Sequence, residues 1–188
     1  MICEDKYIYC KKEALSKEEC KQIIDDFEKG EKYDWPENKA TMQYKEFYYK
    51  GISIDLTTKF WIKYLFESIE EYKAEHTFLG YGHIAPWSTN IRANVQKYEP
   101  NKCYKVEHCE HSSTNPNRVL AWMIYLNTIN KGGGTMWPQQ EFTTKARVGD
   151  LYIWPAGWTH SHKGIVAPEE EKYICLLYTS DAADDLTR

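Results

Sequence analysis

From Ile91 onward the chain is cut into short runs rich in β-branched and aromatic residues, each ended by turn-forming residues. This limits what the chain can fold into more than any other feature does. The spacing predicts strands over 91–98, 104–108, 119–126, 135–137, 142–146, 151–154, 160–166 and from 172 to the end. Pro100-Asn101, Asn115-Pro116-Asn117, Lys131-Gly132-Gly133-Gly134 and Val148-Gly149-Asp150 punctuate them. Short strands at close, regular intervals bury an apolar face only by pairing antiparallel into a sandwich or a barrel.

The first half reads differently. Ser16-Lys17-Glu18-Glu19 has the form of a capping box, in which Ser16 caps the helix start and Glu19 reaches back to it. Cys20, Ile23, Ile24 and Phe27 follow on one helical face, and Gly30 is a natural stop, so a helix is predicted over 16–29. A second helix is predicted over 55–75, with Asp55 as its cap and Trp61, Tyr64, Leu65, Ile69 and Tyr72 on the buried face. Residues 31–51 read as loop with one or two strands, and 77–90 as a connector that covers a site. Helices first and strands after give an α+β class. No repeat, linker or low-complexity segment interrupts the chain, so one domain is expected, with helical support over 1–90 and a β core over 91–174.

The formal net charge is −4, and no basic run is interleaved with aromatics, which argues against nucleic acid or an anionic membrane as partner. No signal-like or membrane-length apolar segment is visible, so a soluble, cytoplasmic protein is expected. The six cysteines form no C-x-x-C pair and no disulfide-like framework, so reduced thiols are expected. The stretch from Cys175 to Asp185 resembles the translation of a sequencing-library adaptor. Residues 175–188 are therefore expected to be an appended, non-native tail that partly completes the last strand.

The residues that carry chemistry cluster between His108 and Lys172. Residues two apart on a strand share a face, so His108 and Glu110 can hold one metal ion between them. A third ligand has to come from elsewhere, and both His160 and His162 are candidates. Two imidazoles and a carboxylate on one side of an ion leave the other side open, the ligand set of non-haem iron(II) oxygenases. Gly132-Gly133-Gly134-Thr135 lacks the Lys-Ser/Thr of a phosphate loop and reads as a turn, and His-Glu-x-x-His is absent, which argues against a zinc hydrolase.

Taken in order, His108-x-Glu110, the run from Arg118 to Asn127, Gly133-Gly134-Thr135, Gly149-Asp150-Leu151-Tyr152-Ile153-Trp154-Pro155, His162 and Lys172 resemble the iron(II)- and 2-oxoglutarate-dependent dioxygenases. The resemblance runs over about 98–174 and is to the prolyl 4-hydroxylase-like branch, in particular its small viral and marine microbial members. It implies a double-stranded β-helix, a jelly-roll or cupin-like barrel flanked by N-terminal helices. It also implies His108, Glu110 and His162 as iron ligands, and Lys172 on the far carboxylate of 2-oxoglutarate. His160 then becomes the alternative distal ligand. Tyr125 matches a strand tyrosine that hydrogen-bonds the cosubstrate and equally reads as a packed aromatic; Tyr98 has the same two readings, and Arg118 could gate substrate or pair in the neighbourhood of Glu110, with a structural or rim role preferred.

The chain departs from that pattern twice. Glu110 stands where the family has Asp, and Leu176 and Tyr178 stand where its last strand carries a small or hydroxyl residue and a Trp. The activity implied is hydroxylation of an unactivated C–H bond, in a prolyl or other residue of a peptide or in a small molecule. 2-Oxoglutarate and O2 would be cosubstrates and ascorbate an accessory reductant. Two alternatives stand beside it: a cupin-like metal enzyme that does not use 2-oxoglutarate, and a catalytically silent binding module.

Overall fold

The computed structural model describes residues 7–35, 49–55, 59, 61–80, 87–89 and 92–181. The N-terminal half supplies two helices, α1 (Lys17–Lys29) and α2 (Ile62–Glu75), and the strands β1 (Tyr9–Lys11), β2 (Tyr33–Trp35), β3 (Tyr49–Asp55) and β4 (Trp87–Thr89). The rest is nearly all strand: β5 (Arg92–Tyr98), β6 (Arg118–Tyr125), β7 (Thr135–Trp137), β8 (Phe142–Thr143), β9 (Leu151–Pro155), β10 (Lys163–Gly164) and β11 (Lys172–Asp181). Eight strands form one antiparallel sheet in the order β1-β9-β6-β11-β5-β3-β2, with β4 also paired to β11, and three form a second in the order β10-β7-β8. The α+β class read from the sequence is the class found.

Register divides the side chains of the large sheet between two environments. On β6, Leu120, Trp122 and Ile124 point to one face and Ala121, Met123 and Tyr125 to the other, as the period of two requires. Cys175 and Leu177 of β11, Ile153 of β9 and Val95 of β5 join the first face. There they meet Cys20, Ile23 and Phe27 of α1 and Leu65, Ile69 and Tyr72 of α2. The second face carries Tyr98, Met123, Tyr125, Tyr152, Trp154 and Ile174. The small sheet closes over it, with the Trp137 and Trp154 rings edge to face at 5.2 Å.

The capping box at α1 forms as predicted: Ser16 Oγ accepts from Glu19 N–H at 3.1 Å and Glu19 Oε2 accepts from Ser16 N–H at 2.8 Å. Gly30 ends this helix in an extended conformation rather than a left-handed one. Its role is steric, because a Cβ there would lie 2.2 Å from Ile52 Cδ1 of β3. Gly149 is the opposite case. Its φ is +82°, and a Cβ would lie 2.1 Å from Leu15 O, so the turn before β9 needs glycine for both reasons.

Several boundaries differ from expectation. The second helix begins at Ile62, not Asp55, because the segment that ends in Asp55 is taken up as β3, paired along its length with 92–97 of β5. Its first residue is preceded by Trp61, which makes no side-chain cap. Residues 104–108 do not form a strand. Their only ladder contact is an isolated bridge between His108 and His162. The predicted strand over 160–166 is instead a 3-10 turn, Trp158–His160, followed by the two residues of β10. The predicted connector over 77–90 starts as a 3-10 turn at Thr77–Gly80 and contains β4; residues 81–86 and 90 lie outside the described residues. No described helix is long and apolar enough to cross a membrane. None of the five described cysteines forms a disulfide with another.

Candidate active site

The site begins with a backbone event. His108 N–H donates to His162 O at 3.0 Å and His162 N–H donates to His108 O at 2.8 Å, so two segments 54 residues apart are locked with their imidazoles side by side. A second lock follows, as Glu110 N–H and His111 N–H both donate to Ala156 O, at 3.0 and 2.9 Å. These bonds replace the ladder that the 104–108 region lacks. His108 and Glu110 are thereby brought to the same side as the alternation argument required, although neither belongs to a regular strand.

The two rings are oriented alike. His108 Nδ1 lies 2.9 Å from Val106 O and His162 Nδ1 lies 3.1 Å from His160 O. A carbonyl oxygen only accepts, so each Nδ1 carries a proton, and in the neutral ring it is Nε2 that holds the lone pair. Both Nε2 atoms face Glu110 Oε1, at 3.5 Å from His108 and 3.4 Å from His162. His108, Glu110 and His162 each offer a ligand atom within 4.8 Å of the others, and among the described residues they are the group so arranged. A neutral imidazole whose other nitrogen is fixed by a hydrogen bond is the form in which histidine binds metal.

Burial pushes the Glu110 carboxyl up, but hydrogen bonds and charge from the protonated forms of His108 and His162 outweigh it and hold it well below the usual carboxylate range in the metal-free site. The anion is thus the resident form. Arg118 Nη1 donates to its other oxygen, Oε2, at 3.1 Å. Aromatic rings wall the imidazoles: Tyr104 lies 4.2 Å from His108, and Trp154 and Trp137 lie 5.0 and 5.7 Å from His162, measured between ring centroids.

These groups open onto a cavity of about 530 Å³. Its floor is the second face of the large sheet: Asn94, Gln96 and Tyr98 of β5, Lys172, Ile174, Leu176 and Tyr178 of β11, Met123 of β6 and Trp154 of β9. Lys172 is 3% exposed. Its ammonium lies 4.8 Å from the centre of the Tyr98 ring and forms no ion pair with a described residue. Burial pushes its pKa down to about 8. An uncompensated buried cation is costly, which makes this end of the cavity a place for an anionic ligand.

Not every predicted residue reaches the cavity. Tyr98 lines it, with its hydroxyl donating to Gln96 Oε1 at 2.7 Å. The Tyr125 hydroxyl is instead engaged by Thr135 Oγ1 at 3.0 Å and Thr144 Oγ1 at 2.6 Å, and Thr135 is the residue of that group on the cavity wall. His160 is buried in the 3-10 turn. Its ring packs edge-on to Tyr7 at 6.4 Å and its Nδ1 pairs with Thr159 Oγ1 at 3.0 Å. His160 ends the 3-10 turn and His162 lies beyond it, so the strand alternation that would put both on one face does not hold and the two rings diverge. Sequence reasoning did not single out Thr135 or Thr144 as site residues, and the hydroxyl pair carried no pattern that could have found it; the neighbourhood of Glu110, one of the places offered for Arg118, is where its guanidinium lies.

No family model matches the sequence, and neither does any curated protein. Solved structures do. The viral collagen prolyl hydroxylase of Paramecium bursaria Chlorella virus-1, in a structure described as a 2-oxoglutarate complex, superposes with a TM-score of 0.70 at 18% identity, covering 97% of this chain and 99% of that one. A prolyl hydroxylase from Trichoplax adhaerens, in complex with a hypoxia-inducible factor peptide fragment, gives 0.71 at 15% identity over 97% of this chain and 88% of that one. A prolyl 4-hydroxylase of Pseudomonas putida gives 0.66 at 12% identity over 93% of each. The chain therefore has the fold of the prolyl 4-hydroxylases among the 2-oxoglutarate- and iron(II)-dependent oxygenases.

Proposed function

We propose that the protein is an iron(II)- and 2-oxoglutarate-dependent dioxygenase of the prolyl 4-hydroxylase kind, built on a jelly-roll barrel. The observation that carries this reading is the pairing, in one cavity, of a two-histidine, one-carboxylate cluster with a buried lysine that forms no ion pair with a described residue. The fold likeness to prolyl hydroxylases supports it. The functional unit is a single domain whose last strand includes residues 175–181, whatever their origin.

His108, Glu110 and His162 would hold the ion, each imidazole through Nε2. Bound iron(II) supplies the activation of O2 that lets an unactivated C–H bond be hydroxylated while 2-oxoglutarate is oxidised to succinate and CO2. The protein's own residues bind and orient. The carbonyls of Val106 and His160 keep both imidazoles in the metal-binding tautomer. Lys172 receives the distal carboxylate of the cosubstrate, with Thr135 beside it and Tyr125 holding the Thr135 hydroxyl from behind. Trp137 and Trp154 keep water from the His162 side. Ascorbate would serve as an accessory reductant. A prolyl residue in a peptide is the proposed substrate, on the strength of the neighbours' names.

The test is an anaerobic titration of iron(II) and 2-oxoglutarate, read by the weak visible charge-transfer band of the chelate. The full-length protein should develop the band; a folded protein without it overturns the proposal. Lys172→Met should weaken 2-oxoglutarate about 10- to 100-fold, the size of a lost charge-assisted hydrogen bond. The pH dependence has a definite sign. With a pKa near 8, Lys172 is an ammonium below that pH and a neutral amine above it, so cosubstrate affinity should fall as pH rises through about 8. Stability without cosubstrate should move the other way, rising between pH 8 and the ordinary lysine pKa of 10.5, because there the unfolded chain binds a proton that the folded one has released. An affinity flat through pH 9 would remove Lys172 from this role.

A further inference from the structure

Glu110 is one methylene longer than the aspartate expected in this ligand set, so its carboxylate has an extra torsion to fix before it can serve a cation. The structure contains a device that fixes it. Arg118, the first residue of β6, donates from Nη1 to Glu110 Oε2 at 3.1 Å and, at 3.4 Å, to the backbone carbonyl of the same residue. The two contacts fold the glutamate side chain back on itself. The guanidinium in turn lies flat on the Tyr178 ring of β11, with Cζ 3.5 Å from the ring centre. Oε1 is left facing both Nε2 atoms.

We propose that Arg118, seated on Tyr178, is a positioning residue for the cation site: it holds Oε2 of Glu110 back so that Oε1 alone is offered to the ion. This rests on the metal-binding reading above. The arrangement keeps the longer carboxylate a one-oxygen ligand and leaves the remaining positions around the ion to cosubstrate and O2. It also makes Tyr178, in the stretch that the sequence reads as an appended tail, part of the site's support. Stacking on an aromatic face and a fork of donors suit arginine better than any other residue.

Charge and position predict opposite signs, which makes the idea testable. Removing a guanidinium beside a cation site should by itself tighten cation binding, whereas removing a clamp should weaken it. The measurement is a Co(II) titration of the full-length protein, followed by visible ligand-field absorption, with thermal melts of each metal-free variant alongside. Arg118→Ala should weaken Co(II) about 10- to 100-fold, as loss of an outer partner of a metal ligand does. Tyr178→Leu should weaken it in the same direction, whereas Tyr178→Phe, which keeps the ring under the guanidinium and removes the hydroxyl that itself reaches Glu110, should bind as wild type does. If the alanine variant does not fold, Arg118→Lys carries the same comparison. Binding by the folded Arg118 variant as tight as or tighter than wild type overturns the proposal, and so does a loss in Tyr178→Phe as large as that in Tyr178→Leu. A wild-type protein that binds no Co(II) overturns the metal reading instead, so the two failures are distinct.

Discussion

A chain ended at Ile174 is expected not to fold, and Leu177→Asp in the full chain to be almost as damaging. β11 lies inside the large sheet, between β5 and β6. Its residues 174–180 are registered against β6 from Tyr125 down to Arg118, and 172–176 against β5 from Tyr98 to Asn94. Cys175, Leu177 and Thr179 are fully buried, and Thr179 Oγ1 accepts the Leu120 N–H at 2.9 Å. Losing the Leu177 side chain alone costs about 1.5–3 kcal/mol of burial. Each backbone group left unpaired inside the sheet costs about 1–3 kcal/mol more. Several such groups on β6 exceed the roughly 5–15 kcal/mol by which a domain is stable. Circular dichroism melts decide the point. A truncated chain that unfolds cooperatively near the temperature of the full-length protein would show that β11 beyond Ile174 is dispensable. The residues that resemble an adaptor are thus expected to be structural, because any apolar, alternating run in that place would be drafted into the open ladder.

What could be read in advance was whatever is encoded locally. The capping box from Ser16 to Glu19 names its own helix, because both of its hydrogen bonds are made within four residues. The strands β5, β6 and β9 announce themselves by their β-branched and aromatic content and by the turns that bound them. Asp55 misled for a complementary reason. It looks like a helix cap, but the residues before it pair with β5, a partner nearly forty residues away that no local pattern reveals. The 104–108 segment failed in the opposite sense, for it has a strand-like composition but no continuous ladder: Tyr104 O accepts from Gly164 N–H and His108 bridges to His162, with no named strand between them.

The candidate site divides the same way. That His108 and Glu110 could face one point follows from their spacing. That His162, not His160, faces it too depends on the 3-10 turn at Trp158–His160, which turns the His160 ring toward Tyr7. Tyr125 shows the limit of alternation as a guide. Its backbone puts it on the cavity face of β6, yet β7 crosses in front, so that Thr135 fills the wall and the tyrosine hydroxyl stands behind it. Sequence spacing gives the side of the sheet; it does not give the depth.

Deleting either imidazole of the bridged pair should abolish cation binding, while deleting the third histidine of the region should not. With three protein ligands, His108→Ala or His162→Ala leaves two, and the loss should exceed the about 10- to 100-fold that an outer partner costs. Neither change removes the reciprocal backbone bonds between residues 108 and 162, so both variants should keep the native fold. His160→Ala is the informative control. The group it supplies to the site is a backbone carbonyl, which accepts from His162 Nδ1 and survives the substitution. Its ring contacts Tyr7 and bonds Thr159, and neither residue offers a ligand atom to the ion, so the variant should melt earlier yet bind the ion as wild type does. The anaerobic iron(II) and 2-oxoglutarate titration separates the cases, because the chelate band needs the ion in place but no knowledge of the substrate. A band kept in His162→Ala and lost in His160→Ala would exchange the distal ligand. A band kept in His108→Ala would move the ion elsewhere, and the lone-pair argument built on the Val106 carbonyl would then describe an ordinary hydrogen-bonded histidine.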